Sequence, residues 1–465
     1  MLKPAELILT AAQMRGAEEA LIAGGTSVDE LMQRAGQGAA DWVWRVAGTR
    51  PVTVLCGPGN NGGDGWVIAE ALRQRGGDVA VVMAAEPRTA AAKTARLAYQ
   101  GEVLAAAANR TGEVLVDCLF GTGLTRRLSA EHAALLAQLA ADHHKLVAVD
   151  LPSGIDADLG QSLNPDLPAN DLTVALGAWK PAHFLMPAAA SMGALRLVEI
   201  GIGAVTSAAQ VIARPQFVAP AATAHKYTRG LLGVVGGAMP GAAVLAAIAA
   251  QGAGAGYVKL LGQGAEMPAD LVRDPRPLAD ALDDKRFGAL LVGPGLGRDA
   301  AARDALSLVI AAQHPAVLDA DALILLTPDL LSGRSVPLIG TPHEGELAAL
   351  EAAFGLTGAG SKVTRATALA QASGMVIVAK GADTVVAAPD GRAALAPRAS
   401  SWLSTAGTGD VLAGIIASRL AAGAQAFTAA CGGVWLHGEA ARLCPAPFTA
   451  SQLAAQVPNA YAACL

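Results

Sequence analysis

The run Val52 to Cys56 is apolar or β-branched throughout and stops at Gly57-Pro58-Gly59-Asn60-Asn61-Gly62-Gly63-Asp64-Gly65, after which apolar residues resume at helical spacing from Trp66 to Arg75. A strand, a glycine loop and a helix in that order make one step of a parallel α/β sheet, because parallel strands need a crossover that a helix supplies. The step recurs. Strands are expected at Val79 to Ala84, Val114 to Phe120, Leu146 to Leu151, Val174 to Leu176 and Leu195 to Ile200. Helices are expected at Ala90 to Gln100 and Glu131 to Ala141, with an opening helix near Thr26 to Arg45. A second run begins at Leu231 to Val235 and a helix near Ala242 to Ala250. It continues through Ala289 to Val292, Val317 to Asp319, Pro337 to Ile339, Met375 to Ala379 and Thr384 to Ala388, and a closing helix starts near Asp410.

With 465 residues the chain exceeds one ordinary core, so two domains are expected. Periodicity fades between Ala204 and Ala224, read as a linker, which gives domains at 1–210 and 222–465. A formal charge of −5 without a basic block argues against nucleic acid and anionic lipid as partners. Cys56, Cys118, Cys431, Cys444 and Cys464 are scattered and form no CxxC, which fits a reduced cytoplasm. Met1 to Glu19 has no apolar core of signal-peptide length. Nothing between Arg229 and Lys259 is charged, but its many glycines read as a buried core segment and not a membrane span.

The carboxyl ends of parallel strands face the ligand crevice of an open sheet, and three loops of the first half carry polar groups there. They are Asn60 to Asp64, Asp117 to Leu124, and Asp150-Leu151-Pro152-Ser153. Glycine lets backbone N–H groups approach a ligand, and a helix start favours a phosphate. Asp117 is alternatively a structural turn aspartate. The loop also satisfies GxGxxG, yet the acid that a dinucleotide-binding sheet places after its second strand is missing: Asp78 precedes that strand and Glu86 lies too far on. Hydride transfer is therefore demoted.

In the second half no GxxxxGK[ST] occurs. Gly407-Thr408-Gly409-Asp410 leads into an apolar helix, where Asp410 is either a plain N-cap or a proton acceptor beside phosphate-binding amides. Lys380 to Thr384, Gly293 to Gly297, Asp319-Ala320-Asp321 and Thr341 to Glu346 end other strand candidates, which favours the second reading. His343 lacks a partner histidine, so zinc is not proposed.

GPGNNGGDG (57–65), DCLFGTGL (117–124) and VDLPSGIDAD (149–158), with Lys180-Pro181 and 193–203, resemble the NAD(P)H-hydrate epimerase family. That resemblance implies a Rossmann-like three-layer α/β/α domain. It implies that Asn60, Asn61, Gly62, Gly63, Asp64, Gly121, Thr122, Gly123, Leu124, Thr125, Arg126, Arg127 and Asp150 hold the hydrated nucleotide. It further implies that Asn61, Asp117 and Ser153 ligate a potassium ion, an oxygen set suited to a hard cation. The carboxylate of Asp150 is expected to shuttle the proton.

His225-Lys226, GVVGGAMPGA (233–242), VGPGLG (292–297), LDADAL (318–323), TPHEGEL (341–347), KGADT (380–384) and STAGTGDVLAGII (404–416) resemble the ADP-dependent NAD(P)H-hydrate dehydratases, with a ribokinase-like fold. Tyr227-Thr228-Arg229 departs from that family's small residue at this point. The resemblance implies that Ala242, Gly297, His343 and Asp410 contact the substrate, while Lys380, Gly381, Ala382, Asp383, Thr384 and Gly409 hold ADP, with magnesium on the phosphates. Asp410 is the expected catalytic group. The expected partners are NADHX, NADPHX and ADP, for a cytoplasmic homo-oligomer. The rival is a ribokinase-like kinase of a small vitamin precursor with a fused nucleotide-binding domain, and a non-enzymatic nucleotide sensor is a third reading; the motifs of the first half speak against a plain kinase.

Overall fold

The computed structural model describes residues 6–105, 111–206, 208–262 and 266–465. Residues 1–5 of the first expected domain and residue 207 of the expected linker lie outside the described residues. The chain divides into two compact units, Met1–Gln210 and Val211–Leu465.

In the first unit a seven-stranded parallel sheet runs in the order Glu102–Ala105, Val79–Met83, Val52–Cys56, Gly112–Cys118, His143–Val149, Leu172–Leu176, Ala194–Val198. The two-residue period of a strand sorts its side chains to opposite faces. Val52, Val54, Cys56, Val114, Val116 and Cys118 enter one core with helices Val28–Ala47 and Asn60–Gln74. Leu55, Val82 and Leu115 enter a second core with Leu135, Leu136 and Leu139 of helix Ala130–Ala141. The unit is therefore three-layered, and its chain turns back between Val52–Cys56 and Gly112–Cys118, which are register partners. Helix Ala11–Ala23, strand Glu102–Ala105 and the short antiparallel pair Leu7↔Gln210, Ile8↔Ala209 were not anticipated.

One expectation is corrected. The glycine segment is not a loop ahead of a helix at Trp66; the helix already begins at Asn60. Glycine weakens an isolated helix, but here tertiary packing overrides propensity. A Cβ on Gly62 would lie 1.9 Å from the Gly57 carbonyl oxygen, and one on Gly65 2.8 Å from Cys118 Cβ. The glycines thus allow the helix to seat on the strand ends.

In the second unit a mixed sheet runs Ala393–Leu395, Val385–Ala387, Val376–Ala379, Leu338–Gly340, Ala316–Leu318, Phe287–Val292, Leu231–Val235, Tyr257–Leu261, Val272–Asp274. The first two are antiparallel to their neighbours and the remainder are parallel. The chain turns back between Leu231–Val235 and Phe287–Val292. Helices Pro240–Gly252, Thr408–Ala421 and Ala426–Leu443 pack on one face through Ala246, Ala250, Ala413, Ile416 and Val434. Thr408–Ala421 does not close the chain, because Ala426–Leu443 and Ala450–Ala462 follow it. Among the described residues no helix is long and apolar enough to cross a membrane.

Gly62→Ala tests the packing account. Overpacking of this kind costs about 1–3 kcal/mol, so the first unit should unfold several degrees earlier. An unchanged melting profile contradicts it.

Candidate active sites

The first site collects at the carboxyl ends of the strands flanking the turn-back. Asp150 follows His143–Val149 directly and takes a left-handed backbone (φ 66°), uncommon for a non-glycine residue. That conformation is held from several sides. Its N–H donates to Val174 O (2.7 Å), and its carbonyl accepts from His183 Nε2 (2.9 Å). Its carboxylate accepts from Thr122 N (2.9 Å), from the Thr122 hydroxyl and from the ammonium of Lys180. Lys180 is 1% exposed and also donates to Leu176 O (2.7 Å), while its own N–H donates to His183 Nδ1 (2.8 Å). Burial pulls the Asp150 carboxyl upward, but Lys180 and Thr122 outweigh it and leave it below the usual carboxylate range. His183 stays uncharged, lowered to about 4 by burial and then by Lys180.

Gly121 meets this carboxylate closely, since a Cβ there would lie 2.8 Å from Asp150 Oδ2 and 3.2 Å from Asn61 Cγ. The Asn61 amide is shielded, and among the described residues neither its oxygen nor its nitrogen has a hydrogen-bond partner. A buried unpaired amide costs on the order of 1–3 kcal/mol, so this group is poised for something the protein itself does not supply. Asp117 and Ser153 are joined: Ser153 N and Oγ donate to the two carboxylate oxygens (2.9 and 2.7 Å), and Phe120 N donates to Ser153 Oγ (2.9 Å). Asp117 also accepts from Leu119 N (3.1 Å), the contact of a turn aspartate. Asp64 is buried in the second turn of its helix. Gly62 and Gly63 are buried beside it, whereas Asn60 is exposed at the helix start. Gly123, Thr125, Arg126 and Arg127 lie on an exposed stretch, and the half-buried Leu124 donates its N–H to Gly121 O (3.2 Å).

In the second unit Asp410 is not the N-cap. Gly407 takes that position in a left-handed conformation (φ 88°), leaving Asp410 in the first turn of Thr408–Ala421 with no side chain capping the helix. Ser27, Ser129 and Ser361 do cap their helices, so the open amides at Thr408 and at Asn60, whose N-cap is Gly59, are a local choice. Such ends attract anions. Asp410 sits among Asp319 and Lys380, and burial first, then the Asp319 charge, raise its carboxyl to about 6 against the pull of Lys380. The Lys380 ammonium donates to Asp319 Oδ1 (2.7 Å) and lies 3.8 Å from Glu346. A Cβ on Gly409 would be 3.5 Å from Lys380 Nζ. His437 donates to Thr408 O (2.9 Å) and is held neutral, at about 4, by burial.

The remaining expected residues surround this group. The Gly381–Thr384 turn is closed by the Thr384 hydroxyl donating to Gly381 O (3.0 Å), with Ala382 exposed at its tip and Asp383 paired to Lys362 (2.7 Å). Gly297 N donates to Asp321 (3.0 Å). His343 caps Glu344–Ala353, accepting at Nδ1 from Gly345 N and Glu346 N, with Nε2 3.3 Å from Glu346. Ala242 lies half-buried in the first turn of Pro240–Gly252; it makes no described contact with Asp410, though Leu245 of that helix packs against Gly407.

Sequence reasoning missed Lys180 as a partner of Asp150, and likewise Thr122 as its donor, His183, Glu346, Lys362 and His437. One signal was present: Lys180 is the lone charged residue with fixed charge from Leu172 to Leu195.

The fold and the two carboxylate sites define an α/β enzyme with one site in each unit. Residues 28–182 match the family model of the YjeF-related protein N-terminus, and 232–461 that of NAD(P)H-hydrate dehydratase. The bifunctional NAD(P)H-hydrate repair enzyme of Mycobacterium tuberculosis is 36% identical over 439 residues, 90% of this chain and 89% of that protein. Its counterpart in Escherichia coli K12 is 34% identical over 463 residues, 93% and 88% respectively. The chain belongs to this family of bifunctional repair enzymes. Among solved structures, an ADP/ATP-dependent NAD(P)H-hydrate dehydratase of Bacillus subtilis co-crystallized with ATP/Mg2+ is 29% identical, covering 54% of this chain and 95% of that one, with a TM-score of 0.47.

The raised Asp410 carboxyl carries a stability consequence. Its folded value, about 6, exceeds the ordinary 3.8, so the ionised form is disfavoured in the folded state and stability falls as pH rises through that window. Asp410→Asn should therefore raise the melting temperature at pH 7.5, and the gain should shrink as pH falls toward 4. An equal gain at both pH values contradicts this.

Proposed function

We propose that the first unit interconverts R- and S-NAD(P)HX and that the second dehydrates S-NAD(P)HX with ADP, giving NAD(P)H, AMP and phosphate. One observation carries the reading: each unit gathers, at strand ends beside an uncapped helix start, a carboxylate whose surroundings tune it, Asp150 below and Asp410 above the usual range.

In the first site the ionised Asp150, fixed by Lys180 and Thr122, takes the proton of a water adding at C6 of the nicotinamide ring. The ring nitrogen lone pair assists the departing hydroxyl. Asn60 to Asp64 and Gly121 to Arg127 flank the nucleotide. The unpartnered Asn61 amide together with Asp117 and Ser153 fits a hard cation, so these three residues would hold potassium. That ion would supply positive charge beside a phosphate-bearing ligand.

In the second site a carboxyl near 6 is ionised at neutral pH yet basic enough to accept the C6 hydroxyl proton. The hydroxyl oxygen then attacks the terminal phosphoryl group of ADP, AMP departs, and the phosphate ester eliminates to restore the dihydronicotinamide. Phosphate is a far better leaving group than hydroxide, which accounts for the consumption of a nucleotide. Gly409 and Lys380 to Thr384 bind ADP, while Ala242, Gly297 and His343 line the substrate side. Magnesium would arrive on the phosphates and neutralise their charge. This reading carries with it a cytoplasmic homo-oligomer that needs neither nucleic acid nor membrane.

The test combines purified protein with each epimer, with and without ADP and magnesium, and follows recovery of reduced-nicotinamide absorbance. Recovery from both epimers, only with nucleotide, is expected. Asp410→Ala should abolish dehydration and leave epimerisation intact, and Asp150→Asn should do the reverse, each by about 10²-fold or more. Loss of both activities in either variant contradicts the division of labour, and a stable phosphorylated product would favour the kinase.

A further inference from the structure

Epimerisation at C6 makes a demand that one carboxylate meets poorly. The hydroxyl leaves one face of the ring and needs a proton there; water adds to the other face and must lose one there. Two groups are required, and only Asp150 has so far been given a role.

Around Asp150 the first unit buries more carboxyls than it neutralises. Asp64 is 7% exposed and Asp150 8%, while Glu18, from helix Ala11–Ala23, is half-buried. Asp64 follows Asn61 by three residues in one helix, hence on the same helix face, and the charges of Lys180 and, on Glu18, Arg15 bear on these carboxyls. Lys180 commits its charge to Asp150, and Thr122 adds two donors to the same carboxylate. Asp64 has no hydrogen-bond or ion-pair partner among the described residues. An isolated buried carboxylate in that position is costly and relieves the cost by keeping its proton. Beside them the Asn61 amide is shielded and unpartnered, within reach of the same Gly121 corner as Asp150, which marks the place as built for a ligand.

We propose that Asp64 is the proton donor of the first site, working opposite Asp150, so that interconversion at C6 uses two carboxyls and not one. This rests on the epimerase reading above. In one direction the Asp64 carboxyl gives its proton to the departing hydroxyl as the C6–O bond breaks, with the ring nitrogen supplying the electron pair. Water then forms a new C6–O bond on the opposite face and yields its proton to Asp150. The opposite epimer runs the sequence backward and restores both groups. Neighbouring environments that separate two carboxyls in this way identify acid and base. Burial, then the charges of Asp150 and Glu18, hold Asp64 well above the usual range against Lys180, in keeping with the protonated form.

Oxygen exchange tests this. Each epimer is incubated in H2 18O without ADP, using the full-length protein, Asp64→Asn and Asp150→Asn. Wild-type protein should interconvert the epimers and label both. Asp64→Asn should lose interconversion by about 10²–10⁴-fold and label neither epimer, because the ionised Asp150 has no proton to give a departing hydroxyl; Asp150→Asn should lose interconversion too but still label the epimer whose hydroxyl faces Asp64. A melting transition of the first unit no lower than in wild type shows that Asp64→Asn is folded. If Asp64→Asn interconverts or labels either epimer within a few-fold of wild type, or if folded Asp150→Asn labels neither epimer, Asp64 is not the donor. Wild-type protein that does not interconvert the epimers at all overturns the epimerase reading, and this inference with it.

Discussion

Backbone contact across the turn-back of each sheet is the constraint on which both sites depend. In the first unit a Cβ on Gly57 would lie 1.8 Å from the Leu119 carbonyl oxygen, at the ends of adjacent strands. In the second, a Cβ on Gly237 would lie 2.4 Å from Leu296 Cα and one on Gly295 2.2 Å from Met239 O. No other residue type fits such distances. A doubly wound sheet leaves its crevice at the point where successive connections diverge. Here main chain lines that point on both sides, which brings helix N-termini and carboxylates to one place without a large side chain intervening.

Given that geometry, the two units distribute charge differently with similar parts. Each pairs a lysine with a buried aspartate at the strand ends: Lys180 on Asp150, Lys380 on Asp319. In the first unit the paired aspartate is itself the proposed reactive group, and its carboxyl is lowered. In the second the pair stands next to the proposed reactive group, and burial first, then the like charge of Asp319, raise Asp410 against the partial offset of Lys380. Pairing the lysine with the reactive carboxylate or with its neighbour thus decides whether the site presents a weak base or a stronger one.

Much of this was legible in the sequence where information is local. Val52–Cys56 and Leu231–Val235 were read with their bounds intact, because apolar runs ended by glycine have few other interpretations. Tyr257–Leu261 was hidden by Lys259, a charge in mid-strand whose partners, Asp274 and Asp284 at 3.5 and 3.6 Å, lie well along the chain. Helix Ala11–Ala23 carried a readable capping box, Thr10 with Gln13, that went unused. The helix start at Asn60 contradicts propensity and depends on close packing against Gly57 and the distant strand end at Cys118, so no local rule finds it. In the long-range Asp150–Lys180 pair the isolation of Lys180 in an uncharged stretch hints at a buried role, but its partner is fixed only when the sheet is assembled.

The central claim is that the two chemistries occupy separate sites, each complete within its own unit. Mixing the Asp150→Asn and Asp410→Ala proteins tests it most directly, with the R epimer, ADP and magnesium supplied and reduced nicotinamide measured. Independent sites predict that the mixture restores conversion toward the wild-type rate, since one protein epimerises and the other dehydrates. A mixture no faster than Asp150→Asn protein alone would contradict the account.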